Sequence, residues 1–225
     1  DFVWEKVRSV SGDHYLQNSS LTGKKMLKSN SNAAENTDGN IESYLSNGIQ
    51  INRQYDWNSS RTLVDWFWKA NGGTTSSNTD GSITSTVQVN DTAGFSIVTY
   101  TGNGNASAQT VGHGLGAECK LVLLRGRSID DESWRVFHES VSQSGGGNLF
   151  LNGTSALDTS DPARITSTNT TTFTLDGYHS TYDAINQSSQ TCLAYCFAEI
   201  QGSSKFGSYT GNDSLDGTFV YTGFK

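Results

Sequence analysis

The chain has little charge, little apolar mass, a single proline and only three cysteines in 225 residues. Charged residues make up 16%, the net charge is −7 and Lys and Arg are nowhere clustered. Nucleic acid is therefore not an expected partner, because phosphate contacts need grouped basic side chains. The densest basic group, Lys24-Lys25 with Lys28, reads as a solvated turn. Three cysteines cannot all pair. Cys192 and Cys196 lie four apart in an expected strand, roughly 13 Å of rise, beyond the reach of a disulfide. No C-x2-C metal spacing is present, so buried free thiols are expected, as after synthesis in a reducing compartment. No run of 18 apolar residues exists, so no membrane-spanning helix and no membrane insertion are expected. Beginning at Asp1 without a signal peptide, the chain reads as processed or as a piece of something longer. The N-x-S/T triplets at Asn18, Asn58, Asn90 and Asn152 carry little information in a chain so rich in Asn, Ser and Thr.

Ten Phe, nine Tyr and five Trp argue for an ordered protein despite the polar composition. More telling, the chain repeats itself. Phe2 to Ser9 (FVWEKVRS) matches Leu121 to Ser128 (LVLLRGRS) at an offset of 119, and Arg61 to Ala70 (RTLVDWFWKA) matches Gln190 to Glu199 (QTCLAYCFAE) at an offset of 129. Tyr100 to Asn103 (YTGN) recurs at Tyr209 to Asn212, an offset of 109, so the stretch between these landmarks is 20 residues longer in the first copy. With its end placed before its beginning, the chain needs one further residue between Lys225 and Asp1 to stay in register. It is thus two repeats cut inside a repeat, and so long a period means tandem small domains rather than a solenoid.

Period-2 alternation at Ile49–Ile51, Ile83–Val89, Trp134–His138 and Phe173–Leu175 predicts half-buried strands. Leu63–Trp68 and Cys192–Ala198 are apolar on both faces and are expected to be central strands. Asn-Gly and Asp-Gly turns separate the strands, the lone Pro162 falls in a loop, and no helical stripe is present. The expected fold is all-β: two tandem pseudo-repeated β-sandwich, jelly-roll-like lobes. The first lobe spans 1–71, a linker 72–81 and the second lobe 82–205. Residues 206–225 either close the first lobe, pair with a neighbouring subunit, or begin the next repeat of a longer array.

Signals for chemistry are sparse. His14, His113, His138 and His179 lack partners at metal spacing, and His113 in Val-Gly-His-Gly reads as part of a tight turn before a buried strand. No G-x-S-x-G, Walker loop or HExxH is present. Asp130-Asp131-Glu132 and Asp158–Asp161 read as charged loop tips, and no strand carries the alternating acids that would supply a glycosidase pair. No catalytic residue, metal or cofactor is expected. For sugar binding, Trp57, Trp134, Tyr178 and Tyr182 are the candidate glycan-facing aromatics, while Trp66 and Trp68 are expected in the core.

Four blocks, GFSIVTYTGNGN (Gly94 to Asn105), VGHGLGAECKLVLLRGRS (Val111 to Ser128), CLAYCFAEIQGSSKFGSYTGN (Cys192 to Asn212) and DGTFVYTGFK (Asp216 to Lys225), resemble a repeated domain of unknown function common in structural and tail-fibre proteins of marine bacteriophages. With the diverged copies FVWEKVRS and RTLVDWFWKA, the resemblance covers nearly all of the chain. Cys119 departs from it, standing where relatives tend to carry proline, and the first copy lacks a clear GHGLG block ahead of Phe2. The resemblance implies a non-enzymatic structural or adhesive part of a virion, such as a fibre or surface decoration, made in the bacterial cytoplasm and displayed on the particle. Other virion proteins, further copies of the chain and host-surface glycans are the partners it implies. A carbohydrate-binding module and a filament subunit assembled by strand donation are the alternative expectations.

Overall fold

The computed structural model describes residues 1–52, 60–142, 147–179 and 185–224. The first repeat contributes β1 (Phe2–Val7), β2 (His14–Asn18), β3 (Leu27–Lys28), the hairpin β4 (Ile41–Leu45) and β5 (Gly48–Ile51), and β6 (Leu63–Trp68). Then follow β7 (Ser76–Asn78), β8 (Ser85–Asn90), β9 (Phe95–Thr101) and β10 (Gln109–Gly112). The second repeat proper comprises β11 (Cys119–Gly126), β12 (Arg135–His138), the one-turn helix α1 (Glu139–Ser142), β13 (Leu149–Phe150), β14 (Ile165–Thr168), β15 (Thr172–Leu175) and β16 (Thr191–Ala198). Strands pair antiparallel as β3-β2-β1-β6, β4-β5, β10-β15-β14 and a seven-stranded sheet β13-β12-β11-β16-β9-β8-β7. The molecule is an all-β sandwich.

The central strands of the seven-stranded sheet, β9, β11 and β16, are buried on both faces. Toward β10-β15-β14 it presents Val98, Tyr100, Val122, Leu124 and alternate residues of β16, which enclose Val111, Phe173 and Leu175. Toward the first repeat it presents Phe95, Ile97, Leu123, Leu193, Tyr195 and Phe197, against Phe2, Leu16 and Leu27. Phe2 stacks on Tyr195 with ring centroids 3.9 Å apart and on Trp68 at 5.0 Å. Burial on both faces explains why β16 carries no charged residue and is buried throughout Cys192–Ala198.

The repeat holds at the level of register. In β1–β6, Phe2 pairs with Trp68 and Val7 with Leu63; in β11–β16, Leu121 pairs with Phe197 and Gly126 with Cys192, the same pairs displaced by 119 and 129. The two hairpins share even an irregularity. Ile41 pairs with Ile51 and the register shifts before Ser43, while Ile165 pairs with Leu175 and shifts before Ser167, an offset of 124 throughout. The isolated bridges Met26–Asn36 and Asn148–Asp158 correspond at 122. A bulge that recurs at matching positions is a designed bend, not a defect.

Three expectations change. The stretch 72–81 holds β7, which adds an edge to the seven-stranded sheet. Leu63–Trp68 is not central: among the described residues, β6 pairs only with β1. It is apolar on both sides because one face covers the second repeat while the other turns to the β4–β5 hairpin. Residues 206–224 do not close the first lobe; they contain no strand, and residues 207–224 are exposed in this chain.

The Arg-Gly-Arg-Ser motif fastens the repeats together. Arg125 is buried, with Nη1 donating to Ser31 O at 2.6 Å, Nη2 donating to Ala33 O, and its guanidinium 5.8 Å from the Trp134 ring. Arg127 forks onto Glu35 at 2.7 and 2.9 Å, and Asp130 accepts from Ala34 N at 2.7 Å. Segment 31–35 of the first repeat is thereby clasped by the end of β11, with charged donors meeting carbonyl and carboxylate acceptors.

Candidate functional site

The second repeat has a closed core, and the first has an open one. Between the β4–β5 hairpin and β6 lies a cleft of about 560 Å³, lined by Tyr44, Leu45, Gly48, Ile49, Phe67 and Trp68. Phe67 is 54% exposed, whereas Cys196, its counterpart in β16, is fully buried. Ile49 and Ile51 are half-buried where Phe173 and Leu175 are covered. What covers the second-repeat hairpin is β10, which pairs Val111 with Phe173, while β9 extends the sheet beside β16, pairing Tyr100 with Cys192. Among the described residues neither strand has an equivalent in the first repeat.

Behind the cleft the interior is polar. Glu5 and Asp65 face each other across the β1–β6 ladder, where the second repeat has Leu124 and Ala194. Glu5 Oε1 accepts from Asn40 Nδ2 at 2.7 Å, and Asn40 also accepts from Gln17, whose second-repeat counterpart is Phe137. Burial and the neighbouring Asp65 carboxylate push Glu5 up to about 7, and burial raises Asp65 as well. Glu5 Oε2 and Asp65 Oδ1 have no other hydrogen-bonding partner, so a single proton held between them satisfies both. Glu5 is buried and the two carboxyls adjoin, which is not the separation of about 5 to 10 Å across a substrate that glycoside hydrolysis uses.

The sequence-predicted aromatics do not converge. Trp134 is 0% exposed, with Nε1 donating to Lys28 O at 2.9 Å; it is a core residue where the repeats meet, not a glycan platform. Tyr178 is half-buried beside Asn105, which accepts its backbone N–H at 2.8 Å. Trp57 and Tyr182 lie outside the described residues. Conversely Trp66, expected in the core, is exposed, and Trp68 is half-buried. Alternation identifies the two faces of a strand without saying which face another layer covers. The cleft itself was readable only by superposing the repeats and asking which strands the first copy misses.

Other singled-out groups are structural. His113 is buried, its Nδ1 accepting from Leu115 N at 3.2 Å and its Nε2 3.1 Å from Asn169 O. Cys119, Cys192 and Cys196 are free and buried. Among the described residues no group of three or more His, Cys, Asp or Glu is placed to hold a metal ion. No helix among them is long and apolar enough to cross a membrane. No curated protein and no solved structure matches the chain. One family does, over residues 1–225, and the chain accordingly belongs to the domain of unknown function DUF7483.

Proposed function

We propose that this chain is a non-enzymatic structural and adhesive component of a bacteriophage particle, in a fibre or surface decoration, displayed on the virion and able to contact host-surface glycans. The resemblance of its blocks to structural proteins of marine phages supplies the setting. The observation that carries the mechanical part is the centre of the seven-stranded sheet, which packs on both faces and joins the two repeats through one core. Such a body recognises by presenting weak contacts many times over, and affinity then comes from copy number. Immunogold labelling of purified phage carrying the gene tests the reading. Label on fibres or on the particle surface is expected; label absent from particles, with the protein left in the soluble lysate, contradicts it.

A carbohydrate-binding module is the second reading, and the exposed Trp66 and Phe67 favour it, since aromatic faces stack on sugar rings. A glycan array probed with a multivalent form of the chain tests this second reading. Hits lost in Trp66→Ala support the module, and silence at high avidity removes it.

A further inference from the structure

The segment 204–224 aligns with 95–115 at the offset of 109 set by Tyr-Thr-Gly-Asn, with Val220 on Val111 and Gly223 on Gly114, and it already holds that segment's turns. Gly104 and Gly114 have φ of +68° and +75°; Asp213 and Gly223, their counterparts, have +51° and +79°. Asn105 N donates to Asn103 Oδ1 at 3.0 Å, and Ser214 N donates to Asn212 Oδ1 at 3.2 Å. The local shape is therefore preserved while the burial is not. Tyr100 and Val111 are 4% and 0% exposed, but Tyr209 and Val220 are 70% and 47% exposed. Gly102 is needed where it stands, because a Cβ there would meet Gln187 O at 2.3 Å; Gly211 has nothing within 4 Å. A side chain at Gly114 would strike Val89 at 2.8 Å, whereas at Gly223 only Tyr221 lies near. The tail keeps residues suited to a crowded site without occupying one.

The site they suit is the cleft of the first repeat. Carried over at the repeat offsets, the pairs Cys192–Tyr100 and Ala194–Val98 become Leu63 with Tyr209 and Asp65 with Gly207 along β6. The pair Phe173–Val111 becomes Ile49 with Val220 along β5. The tail thus supplies counterparts of the two strands that the described residues of the first repeat do not show, and its Phe206, Tyr209 and Val220 fall against Trp66, Leu63 and Ile49, of which Trp66 is exposed and the other two half-buried. In this chain the tail turns elsewhere: Phe206 packs against the core where the two repeats meet and edge-on to His138 on β12, at 6.3 Å, and residues 207–224 are exposed.

We infer that the β5–β6 cleft is a docking site for residues 204–224 of a second copy of this chain, which add one strand to β6 and one to β5. An exposed strand edge with an apolar cleft beside it is a template for added strands. Because cleft and tail are different surfaces, the contact is heterologous, and repetition builds a filament, or a ring where the rotation closes. The inference concerns assembly and stands whether or not the particle carrying it is a phage.

Cross-linking in register tests it. Paired residues in an antiparallel ladder stand about 4.5–5.5 Å apart at Cα, within disulfide range. Chains carrying Ile49→Cys and chains carrying Val220→Cys, mixed and oxidised, are expected to form a disulfide-linked dimer, whereas Ile49→Cys mixed with Leu215→Cys is not. Sedimentation of the wild-type chain is expected to show a concentration-dependent series of oligomers that Val220→Asp reduces to monomer with unchanged circular dichroism. Monomer at every concentration without an inter-chain disulfide overturns the proposal. So does a double variant, Ile49→Cys with Val220→Cys, that links within a single monomer, because the tail then closes its own cleft.

Discussion

Glu5 shows how one residue sets the character of a repeat. Its second-repeat counterpart is Leu124, and the substitution of a carboxyl for an alkyl group exchanges hydrophobic burial for a proton-dependent contact. Unfolded, Glu5 loses its proton near 4.5; folded, it keeps it to about 7. The raised value means the folded state binds more protons, so the stability from this group is complete below 4.5 and is lost as the pH rises through 7. Asp65, also raised, acts in the same direction. Glu5→Gln should remove most of this slope, leaving the variant more stable than the parent by on the order of 2 kcal/mol at pH 8 and by little at pH 4. Urea unfolding midpoints at the two pH values check this, and a parent that gains stability between pH 5 and 8 relative to the variant contradicts it. Arg125 is the opposite case, a buried charge whose donors meet carbonyls. Arg125→Met strands Ser31 O and Ala33 O and should cost about 3 kcal/mol, read as a shift in denaturant midpoint. Neither environment is visible in sequence. FVWEKVRS and LVLLRGRS align, but whether the acid in one faces water or a buried partner depends on β6 sixty residues later.

At the scale of the element, equivalent strands have unequal roles. β16 lies between β11 and β9 with both faces covered, whereas β6 is bordered by β1 alone among the described residues. Leu193 is fully buried and Val64, its counterpart, is half-buried. Leu193→Ala should therefore cost about 3 kcal/mol and Val64→Ala about 1 kcal/mol, compared by equilibrium unfolding; equal costs would contradict the asymmetry. The sequence announced both strands and their kinship. It did not announce the difference, because a run apolar on both faces reads alike whether a strand is flanked on two sides or covers a neighbouring layer at an edge. Trp134 and Trp66 exchanged expectations for the same reason. Alternation placed each on a face, and only the stacking of three layers decided which face was dry.

For the whole molecule, the doubling is asymmetric: β9 and β10 pair with strands of the second repeat, and among the described residues the first repeat shows no equivalent of either. Because Phe2, Trp68, Phe95 and Tyr195 form one aromatic cluster across the repeats, neither repeat can unfold without stripping the other. Calorimetry should show one transition whose calorimetric and van't Hoff enthalpies agree; two separated transitions would mean independent lobes. The two-repeat plan was legible in the amino-acid sequence. The fusion of the repeats through a shared sheet was not, since it arises from the Arg125 and Arg127 clasp and from aromatic stacking between residues more than ninety positions apart.

Amide hydrogen exchange along β6 and β16, followed with and without a synthetic peptide of residues 204–224, tests the open first repeat most directly. In dilute protein the amides of Thr191–Ala198 should be protected throughout, while the edge-facing amides of Leu63–Trp68 and those of Gly48–Ile51 exchange fast and slow markedly once the peptide is added. Fast-exchanging β5 and β6 amides that ignore the peptide, or β6 amides already as protected as those of β16 in the dilute chain alone, would contradict the account.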